Sequence, residues 1–92
     1  MLDTVLKKRD LTREYLSYLQ VERGLSKNSL ASYKRDIAKL KKFAEDEALD
    51  VVHLSRKDLR GFIASLTKSG LAASSVGRII SAVRGFYKFL LL

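Results

Sequence analysis

The sequence predicts an all-α domain of four helices arranged as two helical hairpins. Three observations point there. Proline is absent from all 92 residues. Apolar residues recur every three or four positions almost throughout, with no period-two run long enough for a strand. Glycines and Ser/Asp caps interrupt that pattern where helices would end and begin. A chain of this length fits one domain, residues 1–92, and can bury a modest core without a metal or disulfide.

The first helix, α1, is expected over about residues 10–23, with Asp10 as N-cap and Leu11, Tyr15, Tyr18, Leu19 and Glu22 on one stripe. It should stop at Gly24, a residue suited to the left-handed C′ conformation, with Leu25 as the apolar residue beyond. Ser26 then caps α2, about residues 27–46, where Leu30, Tyr33, Ile37, Leu40 and Ala44, with Phe43 beside them, form a buried face. Glu45 to Glu47 end it as a solvated terminus, and Leu49, Val51, Val52 and Leu54 form a connection pinned to the core.

Ser55-Arg56-Lys57-Asp58 has the spacing of a capping box, with Asp in place of the usual Glu or Gln, and opens α3, about residues 56–69. Leu59, Phe62, Ile63 and Leu66 point inward, and Gly70 stops the helix. The last helix, α4, covers about residues 73–91 and buries Val76, Ile79, Ile80, Val83, Phe86, Tyr87 and Leu90. Gly24-Leu25-Ser26 and Gly70-Leu71-Ala72 echo each other, as do Asn28-Ser29-Leu30 and Ser74-Ser75-Val76. The echo fits two equivalent hairpins, α1-α2 and α3-α4, and equally a common helix ending used twice.

Formal net charge is +8, which favours a polyanionic partner such as nucleic acid or an anionic membrane surface. The distribution is more telling. From Leu59 to the C-terminus there is no acid, yet Arg60, Lys68, Arg78, Arg84 and Lys88 all lie there. Between Arg23 and Lys42 seven cations face a single acid, Asp36. The absence of cysteine rules out a disulfide framework and thiolate metal ligation, and the lone His53 cannot build a zinc site, so no cofactor is expected. The longest apolar run, Phe89 to Leu92, is far short of the roughly 20 residues that a membrane span needs. The expectation is a soluble, cytoplasmic protein. His53 has no catalytic constellation around it and reads as structural, while Tyr33 and Tyr87 read as core aromatics with hydroxyls at the edge.

On a wheel of about 100° per residue, Ser74, Gly77, Arg78, Ser81, Arg84, Gly85 and Lys88 lie opposite the apolar stripe of α4. Each glycine there costs about 1 kcal/mol of helix propensity relative to alanine, so something should offset it. Small residues between cations let a helix backbone approach a phosphate backbone closely while Arg and Lys reach sideways. The alternative is that Gly77 or Gly85 is small because another helix packs there. In α2, Lys27, Asn28, Ala31, Arg35, Ala38 and Lys42 likewise project away from the core stripe, flanked by Lys34, Lys39 and Lys41. Ser26 to Ser29 and Ser74-Ser75 could supply N-terminal amides and hydroxyls to phosphates.

Two blocks of sequence resemble a known family. Tyr18-Leu19-Gln20-Val21-Glu22-Arg23-Gly24-Leu25-Ser26, followed by Asn28-Ser29-Leu30 and Tyr33-Lys34-Arg35-Asp36-Ile37, is similar to the opening of Xer-type tyrosine recombinases and phage integrases. Ser81-Ala82-Val83-Arg84-Gly85-Phe86-Tyr87-Lys88-Phe89-Leu90 is similar to the last helix of the same N-terminal domain. The resemblance covers residues 10 to 91 and implies a SAM-like core-binding domain that clamps a recombination half-site together with a larger catalytic domain. It implies DNA contacts from Lys27, Asn28, Ser29, Lys34 and Arg35 on α2, and from Ser74, Ser75, Arg78, Ser81, Arg84 and Lys88 on α4. Many relatives open the last helix with Ser-Pro or Ala-Pro where this chain has Ala72-Ala73, which removes some preorganisation there.

The family's catalytic arginines, histidine-containing motif and nucleophilic tyrosine belong to the second domain, which this chain does not include. The expected partners are therefore double-stranded DNA and the catalytic domain of the same polypeptide, with the full-length enzyme a tetramer on DNA and α1 contacting neighbouring copies. This fragment itself should have no enzymatic activity. Two other readings stand beside this one: a SAM-like protein-interaction module with a basic docking face, and a helix-turn-helix repressor. The repressor lacks the short turn leading to a distinct recognition helix.

Overall fold

The computed structural model describes residues 9–92. Among these residues are four α-helices, α1 Leu11–Arg23, α2 Lys27–Asp46, α3 Arg56–Lys68 and α4 Ala73–Leu90, with one 3-10 turn at Val51–His53 between the hairpins. No strand occurs among the described residues. The α1 helix packs on α2 and α3 on α4, and the most extensive contact, between α2 and α4, joins the two hairpins.

Local chemistry sets the helix ends. The Asp10 carboxylate accepts from the Arg13 amide, and Ser26 Oγ accepts from the Ser29 amide. Ser55 and Asp58 form a complete capping box: Ser55 Oγ accepts from the Asp58 amide at 3.1 Å, and the Asp58 carboxylate accepts from the Ser55 amide at 2.9 Å. The first turn of α4 has no such partner, because Ala72 at its N-cap brings no side-chain acceptor. Gly24 and Gly70 lie in the left-handed region at φ 59° and 87°, where a Cβ would be strained. Ala48, just past α2, takes φ 55° although it is not glycine.

The core is built from Tyr15 and Leu19 of α1, Ile37 and Leu40 of α2, Phe62 and Leu66 of α3, and Ile79, Ala82, Val83 and Phe86 of α4. Tyr15 lies at its centre, 5.5 Å from the Phe86 ring and 5.6 Å from the Phe89 ring between centroids, with Tyr33 stacked at 6.5 Å. Leu49, Val51, Val52 and Leu54 are half-buried, as the expected pinned connection requires. The Tyr87 hydroxyl fastens that connection by donating to the Val51 carbonyl at 2.5 Å. His53 is exposed there, its Nδ1 2.9 Å from the carboxylate of Asp50.

Two sequence expectations need correction. Glu22 is exposed rather than part of the α1 stripe, and Thr12 is buried in its place. Gly85 does not belong to the open face of α4. A Cβ built on it would stand 2.3 Å from the Tyr15 hydroxyl, so the glycine makes room for an α1 side chain that donates to the Ala82 carbonyl at 3.2 Å. Gly77, by contrast, has nothing within 4 Å of a built Cβ and does face open space. Asp36, the single acid of the basic block, is fully buried, a placement on which the sequence carried no expectation.

Candidate nucleic-acid interface

The α2 and α4 helices are held side by side by apolar residues, and their cations occupy what the core leaves uncovered. Of the residues expected at a DNA surface, Lys27, Asn28, Lys34, Arg35, Ser74, Arg78, Ser81, Arg84 and Lys88 are exposed, and Ser29 and Ser75 are half-buried. Ser29 is partly engaged at the start of α2, since its hydroxyl accepts from Ser26 Oγ at 3.2 Å and its amide donates to the same oxygen.

The structure divides these residues into distinct groups. On α4, Arg78 marks one border of the exposed face and Arg84 the other, with Ser74, Gly77, Ser81 and Lys88 between them by helical angle. Arg84 stands on the α3 side, where it lines an apolar groove formed by Leu59, Phe62, Ile63, Ile80 and Val83. Arg78 stands on the α2 side. Its Nε donates to Asp36 Oδ2 at 3.2 Å and its Nη2 to Asp36 Oδ1 at 3.0 Å. That bond to Asp36, and the charge behind it, push the Arg78 pKa upward, so the guanidinium stays charged.

On α2, Arg35 and Asn28 are exposed and turned roughly opposite the apolar stripe, about 80–100° round from Asp36, and Arg35 Nη2 donates to Ser32 Oγ at 3.3 Å. Lys34 is turned about 160° away from Asp36. It lines a groove between α1 and α2 with Lys41, Ala38, Arg13, Leu16, Thr12 and Asp10. The residues expected to act together on α2 therefore do not share one direction: Arg35 and Asn28 point outward, and Lys34 turns toward α1.

Sequence reasoning missed Asp36 as a participant. The available signal was its isolation among seven cations, next to the Ile37 position of the apolar stripe. The Ser81 and Gly77 positions leave the α4 face low, and no acid lies on α4 to oppose an anion. The chemistry this surface offers is recognition of a polyanion by guanidinium and ammonium groups. Tyr15 and Tyr87 do not contribute: burial pushes each phenol up to about 12, and each hydroxyl is committed to a backbone carbonyl. Among the described residues no cluster of His, Asp or Glu is arranged to hold a metal ion. No helix among them is long and apolar enough to cross a membrane.

Comparison with known proteins gives the family of the chain. The chain is 40% identical over 81 residues to the tyrosine recombinase XerC of Xylella fastidiosa strain M23, covering 87% of this chain and 28% of that protein. It is 32% identical over 82 residues to the tyrosine recombinase XerD of Staphylococcus haemolyticus, covering 88% of this chain and 28% of that one. XerD of Rhizobium meliloti is 38% identical over 76 residues, with 83% of this chain and 24% of the relative covered. The chain thus spans about a quarter of the length of these relatives. No solved structure is significantly similar to it. The model of the phage integrase N-terminal SAM-like domain matches residues 12–92, nearly the whole described chain. On that match, the chain belongs to the phage integrase N-terminal SAM-like domain family.

Proposed function

We propose that this domain grips a DNA duplex through the exposed faces of α2 and α4, as the DNA-binding part of a site-specific tyrosine recombinase. The observation that carries the reading is the acid-free face of α4, where Arg78, Arg84 and Lys88 flank the small residues Ser74, Gly77 and Ser81. Arg35 and Asn28 extend that surface across the seam onto α2. Small residues lower the surface so that phosphates can come close to the helix, and the cations supply the electrostatic term that dominates DNA affinity.

In this reading Lys27, Ser29, Lys34 and Ser75 make peripheral contacts. Cutting and rejoining of strands is done by residues outside residues 1–92, in a catalytic domain of the same polypeptide, and this domain alone has no strand-transfer activity. The complete enzyme works as a tetramer on DNA. A contact between neighbouring copies at α1 is supported by Val21, a large apolar residue left 79% exposed on that helix.

The test is fluorescence-anisotropy binding to a duplex of about 30 base pairs across a salt titration. The wild-type domain is compared with an Arg35→Ala, Arg84→Ala, Lys88→Ala variant. Arg78 is left intact because removing it would strand the buried Asp36 carboxylate and confuse folding with binding. Each phosphate contact removed should lower the log-log salt slope by about 0.9. A steep wild-type slope that flattens in the folded variant supports the α2-α4 surface. Weak binding with little salt dependence would instead favour a protein-docking role for the basic face.

A further inference from the structure

Asp36 is the one acid between Arg23 and Lys42, and it is fully buried, while the Arg78 side chain that reaches it is 47% exposed. The pair is asymmetric, with the carboxylate beneath the surface and the guanidinium at it. Stability alone does not call for such a pair, since apolar residues of similar volume commonly serve as well or better. Electrostatics argues against it on a DNA-facing surface, because a carboxylate just below that surface weakens attraction for phosphate. Something about the geometry must therefore matter.

The two bonds leave Arg78 in one orientation. Asp36 takes the side edge of the guanidinium, Nε and Nη2, with both of its oxygens. A guanidinium is planar and carries five N–H donors, so fixing that edge also fixes the direction of the end edge, Nη1 and the second N–H of Nη2. Nη1 has no hydrogen-bond partner among the described residues. Two parallel donors on an end edge match two oxygens of one phosphate. Neighbouring Gly77 leaves the approach open, with nothing within 4 Å of a built Cβ. An untethered arginine would have to freeze several torsions on binding, and the Asp36 tether has already frozen them.

We propose that Asp36 is a positioning residue for DNA recognition, holding Arg78 so that its end edge is presented to a backbone phosphate at the α2-α4 seam. The inference rests on the DNA-binding reading above and assigns a role to an acid that never touches the DNA.

The experiment uses Asp36→Asn and Arg78→Lys in the same salt-titrated duplex assay, with circular dichroism and a thermal melt to establish folding. Asp36→Asn raises the net charge by one, so charge alone predicts tighter binding. Positioning predicts the opposite sign, about tenfold weaker binding with the salt slope lowered by about 0.9. Where Asp36→Asn is folded it decides the matter, and binding equal to or tighter than wild type overturns the proposal. Where it does not fold, Arg78→Lys decides. That variant keeps both charges and lacks the fork, and it is expected to bind about tenfold more weakly. If it binds like the wild type, the proposal fails. A wild-type domain without salt-dependent binding would remove the DNA reading itself, a result distinct from either variant outcome.

Discussion

Gly77 and Gly85 lie on one helix, and replacing each by alanine should move stability in opposite directions. At Gly77 a new methyl meets nothing within 4 Å, so the change restores helix propensity alone and should stabilise by about 0.5–1 kcal/mol. At Gly85 the new Cβ would lie 2.3 Å from the Tyr15 hydroxyl, 3.4 Å from Cζ and 3.9 Å from Cε1. Contact requires a retreat of about 1 Å by a ring that is 1% exposed and wedged among Tyr33, Phe86 and Phe89. Overpacking of this kind costs about 1–3 kcal/mol, and displacing the hydroxyl from the Ala82 carbonyl costs about 1 kcal/mol more. Propensity returns about 1 kcal/mol, leaving a net loss of about 1–3 kcal/mol. Urea denaturation followed by circular dichroism would read both values at constant m. The contact predicts its own rescue, since in a Tyr15→Phe background the offending oxygen is gone and the nearest remaining ring atom is at ordinary contact distance. There Gly85→Ala should become neutral or stabilising. An equal penalty in both backgrounds, or a Gly85→Ala variant as stable as wild type, would refute the reasoning.

Other outcomes follow from the same geometry. Tyr15 and Tyr87 have folded-state pKa values raised to about 12 by burial, above the ordinary phenol value near 10, so their neutral forms stabilise the fold fully below about pH 10. That contribution should drain away as pH rises from about 10 towards about 12, seen as a falling urea midpoint with phenolate absorbance appearing on unfolding. Ser55→Ala removes one half of the capping box and should cost about 1 kcal/mol, with faster amide exchange at Asp58. Ser81→Glu places a carboxylate on the exposed face between Arg78 and Arg84; it should leave the melting temperature nearly unchanged and weaken duplex binding by about tenfold or more. Unaltered affinity in that variant would move the DNA surface away from α4.

What the sequence made legible was mostly local. The start of α3 needs only Ser55 and Asp58, three residues apart, and the end of α1 needs only a glycine at position 24. The apolar stripes of α2 and α4 could be read because their period is a property of one helix. The unread parts depend on where a second helix lands. The sequence left two readings for Gly85, an open face or a packed helix, and the second holds; nothing within α4 announces that Tyr15, 70 positions earlier, ends against it. The burial and pairing of Asp36 could not be read because its partner lies 42 positions away. Glu22 shares the angular position of the α1 stripe but is exposed one residue before the helix ends, while Thr12 in the first turn is buried. The candidate site shows the same division. Exposure of the Lys and Arg positions and of Ser74 and Ser81 was legible from the wheel, while the groove that Lys34 shares with α1 and the tie of Arg78 to Asp36 depended on where neighbouring helices land.

The Asp36-Arg78 pair also bears on how the chain acquires its structure during synthesis. The α1-α2 hairpin emerges from the ribosome first, yet on its own it would hold a carboxylate designed for the interior with no cation to meet it, and would leave Ile37 and Leu40 without the α4 residues that cover them. An isolated first hairpin is consequently a poor resting place. The last helix supplies the missing counter-charge and, through Ala82 and Gly85, the seat for Tyr15. Folding should therefore be all-or-none, with the N-terminal half held open until the final helix has left the exit tunnel.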